Sequence, residues 1–177
     1  MIYLSAGHHL SDPGAIANGY KESQLCIELR DLIKQELIQK GASFISDRDY
    51  ETLIAYINRI KPGSGSVLCE LHFNASTNTR ATGTEVLYAT GIESQNLAKD
   101  LSQVIAELIG IPNRGAKDEA QSARGRLAVL RTKAGIAVLP EICFISNKLD
   151  MDAYQKNKNK VAKAIASYLI HYDKLKS

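Results

Sequence analysis

The sequence predicts a single α/β domain, a largely parallel, twisted sheet flanked by helices on both faces. Three observations predict it. Short apolar runs alternate along the chain with longer segments whose apolar residues recur every three or four positions, the two periods of buried strand and amphipathic helix. Breaker clusters of glycine, proline and serine separate these segments, and none is long enough to link two domains. The chain has 177 residues, 45% of them hydrophobic, which suffices for one core, so residues 1–177 are expected to form one domain.

The elements follow in order. "MIYLS" is a short buried strand, because Ile2, Tyr3 and Leu4 are continuous and stop at Ser5, Ala6 and Gly7. "SDPGA", residues 11 to 15, has turn chemistry throughout. From Lys21 the spacing of Leu25, Leu29, Leu32, Ile33 and Leu37 gives a helical stripe that Gly41 ends. "ASFIS" is a second strand, and "DYETLIAYINRIK" predicts a helix from Asp49, closed by "PGSGS". "SVLCELHF" and "TEVLYAT" are the third and fourth strands. "ESQNLAKDLSQVIAELIG" puts Leu97, Leu101, Val104, Ile105 and Leu108 on one helical face. Residues 112 to 126 read as a polar loop, followed by two apolar runs, "RLAVLR" and "GIAVLPEICF". A lysine-rich helix from about Asp150 to Lys174 turns Val161, Ala162, Ile165, Ala166 and Leu169 inward.

Composition excludes several classes. With 22 basic against 19 acidic residues, a net +3, the charge is too small and dispersed to indicate a nucleic-acid partner. Cys26, Cys69 and Cys143 are odd in number and far apart, which fits buried thiols and neither a disulfide framework nor a cysteine zinc site. Met1 leads straight into "IYLSAGHH" without a secretory leader, and no apolar run nears the roughly 20 residues of a membrane span. The expectation is synthesis in the cytoplasm and no stable membrane insertion.

In an open α/β sheet, ligands bind outside the carboxyl ends of the strands. His8 and His9 follow the first strand, His72 ends the third, Glu141 lies in "VLPEICF", and Glu22 opens the first helix. Two imidazoles and a carboxylate with an open fourth position make a catalytic zinc site, and a carboxylate off the metal serves as base. His8, His72, Glu22 and Glu141 supply that set. Their separations, 14, 50 and 69 residues, carry no motif specificity of their own. A strand-end histidine is commonly a hydrogen-bonded loop residue, and a first-turn glutamate gains only about 0.3–1 kcal/mol from the helix dipole. Glu141, inside an apolar run, requires a partner or a function.

"AGHHLSDPGA", "GYKE", "LHFNAS", "GTEVLY", "NRG", "LAVLR" and "LPEICFISN", in that order from Tyr3 to about Asn147, resemble the zinc-dependent N-acetylmuramoyl-L-alanine amidases of the type-3 amidase family. The resemblance implies zinc held by His8, Glu22 and His72, with Glu141 as the catalytic glutamate. It implies hydrolysis of the amide between N-acetylmuramic acid and L-alanine, so the expected partner is peptidoglycan or a muropeptide, met by a monomer. Arg114, Arg124 and Arg126 become candidates for pairing with stem-peptide carboxylates, against a reading as solvated charges. Asn74 either orients substrate or caps its turn. Two departures stand out. The family usually begins the first motif with an acid where this chain has Ser5, and favours a small hydroxyl residue where it has Glu70, two before His72. His9 reads as a rim residue and His171 as solvated. A leaderless wall hydrolase fits a phage lysin released at lysis; a trimmed leader or wall-binding module, or a muropeptide-recycling enzyme, fits equally. The rival activities are a zinc peptidase cutting within the stem peptide and a non-catalytic peptidoglycan-binding module, which would have no need of Glu141.

Overall fold

The computed structural model describes residues 1–121 and 127–176. Its strands are β1 (Ile2–Ala6), β2 (Ile16–Ala17), β3 (Tyr20–Lys21), β4 (Phe44–Ser46), β5 (Val67–Asn74), β6 (Thr84–Tyr88), β7 (Asn113–Asp118) and β8 (Ile136–Phe144). Its helices are α1 (Glu22–Gln39), α2 (Leu53–Ile60), α3 (Ile92–Ile109) and α4 (Lys148–Leu175). Among the described residues six strands form the main sheet in the order β4-β1-β5-β8-β6-β7, while β2 and β3 make a small hairpin of their own. Every neighbouring pair in the main sheet is parallel except β6 with β8. That one reversal brings the beginning of β6 to the edge where β1, β5 and β8 end.

The two faces of the sheet are covered unequally. Ile2 and Leu4 of β1, Val67, Cys69, Leu71 and Phe73 of β5, and Val138 of β8 pack against α1, α3 and α4, whose inward stripes include Leu29, Ile33, Leu101, Ile105, Ile165 and Leu169. On the other face Tyr3, Leu68, Leu87, Ala137 and Leu139 pack against Tyr56 and Ile60 of α2 and against Val129 and Leu130, which lie in a short 3-10 turn at Ala128–Arg131. Strand alternation sends successive side chains to opposite faces. Along this second face Tyr3 is therefore followed by Ser5, Leu68 by Glu70 and His72, and Leu139 by Glu141. The face is apolar near the strand beginnings and polar near their ends.

Buried Arg30 fixes the end of β1. Its guanidinium pairs with Asp47 at 3.1 Å, and Asp47 accepts the Ala6 amide at 3.3 Å, tying α1, the segment after β4 and the last residue of β1 together. Burial pushes the Asp47 carboxyl up to about 6 despite the opposing pull of Arg30.

Three details differ from the sequence reading. Residues 113–118, read as loop, form the edge strand β7: "NRGAKD" has no apolar alternation, and its pairing with β6 supplies the order. The helix expected from Asp49 begins at Leu53, where Thr52 caps it by accepting the Ala55 amide at 3.3 Å. "LAVLR" turns as a 3-10 segment. The three cysteines are buried and free. Among the described residues no helix is long and apolar enough to cross a membrane.

Candidate metal centre

His8 leaves the end of β1, His72 lies near the end of β5, and Glu22 is the first residue of α1. The three converge, with one donor atom from each lying within 4.8 Å of the others. Glu22 is fully buried, and its carboxylate is held at both oxygens. Oε1 accepts the Phe73 amide at 3.1 Å and Oε2 the Ala15 amide at 3.0 Å. A first-turn charge serving only the helix dipole would point to water, so this orientation needs another explanation.

Around that carboxylate stand the imidazoles. His72 Nδ1 lies 2.9 Å from Glu22 Oε1, and His8 Nε2 lies 3.2 Å from Glu22 Oε2. The second contact is not aligned as a hydrogen bond, which leaves His8 Nε2 a buried nitrogen without a hydrogen-bond partner among the described residues. The other nitrogen of His8, Nδ1, contacts Asp12 at 2.9 Å. Two donors on one tetrahedral zinc, each about 2.0–2.1 Å from it, lie about 3.3 Å apart. The orphaned nitrogen, the near-ligand spacings and the mixed imidazole–carboxylate set all fit a zinc ion.

Two close approaches shape the cradle. A Cβ on Gly7 would come within 2.1 Å of His72 Nε2, so the ring rests against a backbone that admits no side chain. Gly14 has φ +62°, and a Cβ there would meet Glu22 and His8 at 2.7 Å.

Electrostatics follow from this packing. Burial alone would depress the His72 imidazolium, but hydrogen bonds to Glu22 and Glu70 outweigh it and push the ring up to about 10. His8 is also raised, against its burial, by the neighbouring Glu22 and Asp12 carboxylates. Glu22 is held well below the usual carboxylate range because its contacts with His72 and His8 overcome desolvation. A divalent cation would displace the imidazole protons and take over their charge.

Glu141 is the register partner of His72 across β5 and β8, so the two share a face. Pro140 precedes it, and the β5–β8 register shifts just beyond, between His72 and Asn74. Across the antiparallel join Glu141 pairs with Glu85, a residue the sequence reading passed over inside "GTEVLY". Glu85 organises two residues expected to meet substrate. Its Oε1 accepts Asn74 Nδ2 at 3.2 Å, and its Oε2 accepts Arg114 Nε and Lys117 Nζ, each at 2.6 Å. The Arg114 guanidinium also lies 5.1 Å from the centroid of the Phe144 ring. Asn74 and Arg114 thus sit on the same edge as the histidines, while Arg124 and Arg126 lie outside the described residues. His9 stays at the rim, its Nδ1 3.4 Å from Ser11 Oγ. Asp12, like Glu85, was missed: "HHLSDPG" shows a turn acid, and its distance of four residues from His8 was the available signal.

An α/β domain with two histidines and a glutamate gathered at the carboxyl edge of its sheet belongs to the class of folds that carry a candidate catalytic metal centre there. Residues 2–171 match the family model described as N-acetylmuramoyl-L-alanine amidase, and the chain belongs to that family, the type-3 amidases. It is 26% identical over 179 residues to N-acetylmuramoyl-L-alanine amidase LytC of Bacillus subtilis (strain 168), covering 97% of this chain and 35% of LytC. It is 28% identical over 152 residues to an endolysin of Bacillus phage SPP1, covering 84% of this chain and 56% of the endolysin. The chain thus spans only part of these relatives. Its fold superposes on the catalytic domain of CwlV, an N-acetylmuramoyl-L-alanine amidase from Bacillus (Paenibacillus) polymyxa var. colistinus. The TM-score is 0.80 at 24% identity, over 97% of this chain and 96% of that one.

Proposed function

We propose that the protein hydrolyses the amide bond between N-acetylmuramic acid and L-alanine of peptidoglycan, with zinc held by His8, Glu22 and His72. The observation that carries this reading is the convergence of those three donors beside Glu141, in a chain of the amidase family. When bound, zinc supplies Lewis acidity, polarising the scissile carbonyl and making water more acidic.

The chain's own residues supply the rest. Glu141 takes a proton from the attacking water as its oxygen bonds to the carbonyl carbon. Glu141 then gives that proton to the departing nitrogen as the carbon–nitrogen bond breaks. The lactyl side keeps a carboxylate, and the stem peptide leaves with a free L-alanine amine. Arg114 and Lys117 share one carboxylate, Glu85, so the cluster keeps a net positive charge suited to a stem-peptide carboxylate. Residues 1–177 act as a monomeric catalytic domain, and kinship with an endolysin supports action on the wall at lysis.

Mass spectrometry of a purified peptidoglycan digest tests the reading. The expected products are stem peptides beginning with a free L-alanine amine and uncut glycan strands. Shortened peptides still joined to muramic acid would establish a peptidase, and no products at all would leave a binding module.

A further inference from the structure

Glu70 has no part in the chemistry above, yet it is a buried carboxylate beside a metal-ligand histidine. It is 2% exposed, and its neighbour across the strands, Ser5, is 1% exposed. Placing a carboxylate there is costly unless its oxygens are engaged, and both are. Oε1 lies 3.2 Å from His72 Nε2, and Oε2 accepts the Ser5 hydroxyl at 3.4 Å. Ser5 and Glu70 are register partners on β1 and β5, so their side chains stand side by side on the face that also bears His72.

We propose that Ser5 and Glu70 act as one unit. A single carboxylate on the face shared by β1 and β5, steadied by a hydroxyl from the other strand, orients His72 for the metal. The proposal rests on the metal-centre reading above. Glu70 accepts the Nε2 proton of the neutral ring, which fixes the tautomer whose lone pair is on Nδ1, the nitrogen facing Glu22. Gly7 pins the same ring from the β1 side, where any Cβ would collide with it. Glu70 is in this account a positioning residue. Because positions 5 and 70 are register partners on the face that bears the ring, the account expects a carboxylate at position 5 to take over part of this role when position 70 carries the hydroxyl.

The test measures zinc affinity by chelator competition, together with the visible spectrum of the cobalt-substituted protein and the melting of the chelated protein. Glu70→Ser is expected to weaken zinc binding about 10–100-fold, the usual cost of losing a carboxylate behind a ligand histidine, and to alter the cobalt bands. Ser5→Asp/Glu70→Ser, which moves the carboxylate to the other strand, is expected to bind zinc more tightly than Glu70→Ser and to shift the spectrum back towards that of the wild type. Wild-type affinity in a folded Glu70→Ser protein overturns the proposal, as does a folded transposed variant no better than Glu70→Ser. Should Glu70→Ser fail to fold, Glu70→Met decides: it keeps the bulk but offers the Nε2 proton no oxygen acceptor, and an unchanged zinc affinity again overturns the proposal. Failure of the wild-type protein to bind zinc would be a separate result, sinking the metal-centre reading itself.

Discussion

His72 and Phe73 are adjacent in sequence and serve opposite faces of one sheet. Phe73, 1% exposed, packs under the long helices, its ring edge-on to Tyr154 with centroids 5.0 Å apart. His72 points to the other face, among Glu22, Glu70 and Glu141. The face under α1, α3 and α4 is apolar along the strands. The face under α2 is apolar only where that helix and the 3-10 turn cover it, and turns polar beyond them. A strand can therefore build the core and the site at once, with alternation keeping the two apart. Substitutions on the two faces should separate stability from metal binding.

The largest effect is expected from the site face. His72→Ala removes a donor, and so does His8→Ala; both proteins should fold, lose stoichiometric zinc and lose nearly all activity. Metal analysis of the purified variants checks this, and wild-type zinc content in either would refute the ligand assignment.

On the core face, Phe73→Ala should cost about 3–5 kcal/mol of unfolding free energy, as for a large aromatic deleted from a packed interior. Denaturant unfolding measures it. Zinc content should stay near one per chain in the folded fraction, since Glu22 accepts the backbone amide of residue 73 and not its side chain.

Proton linkage distinguishes the faces as well, because these imidazoles are on the site face. His72 is raised from 6.5 to about 10 by its carboxylate neighbours, so in the chelated protein its contribution to stability is complete below pH 6.5 and is lost as pH rises through 10. Melting of the chelated protein should fall across that window. Zinc must displace the same proton, so its affinity should rise over the range, by about tenfold per pH unit from His72 alone. Melting that climbed with pH under chelation would contradict the assigned partners.

Arg114→Ala is expected to give the smallest effect. Lys117 stays on Glu85, so fold and zinc should persist while KM for a soluble muropeptide rises several-fold at nearly constant kcat.

Much of this was legible in the sequence, for physical reasons. The strands β1, β5, β6 and β8 and the helices α1, α3 and α4 carry the periodicities of buried elements, and the ends of β1, β5 and β8 are where a sheet of this kind presents its ligands. His8, Glu22, His72 and Glu141 could therefore be singled out before any contact was known. The edge strand β7 could not, because "NRGAKD" owes its conformation to pairing with β6. Nor could the role of Glu85, which depends on a single antiparallel join, or the Ser5–Glu70 pair, whose members are 65 residues apart. Alternation placed Glu70 and His72 on one face, but only the β1–β5 register showed what steadied the acid.

Replacing Glu141 with Gln tests the central claim most directly, that this carboxylate does the proton chemistry beside a metal held by the other three residues. Activity on peptidoglycan and bound zinc are measured on one preparation of Glu141→Gln. The account predicts zinc at the wild-type level with turnover reduced at least 10²-fold, the usual cost of a lost general acid or base. Full activity would show that another group activates the water, and loss of zinc would make Glu141 a ligand; either result contradicts the account.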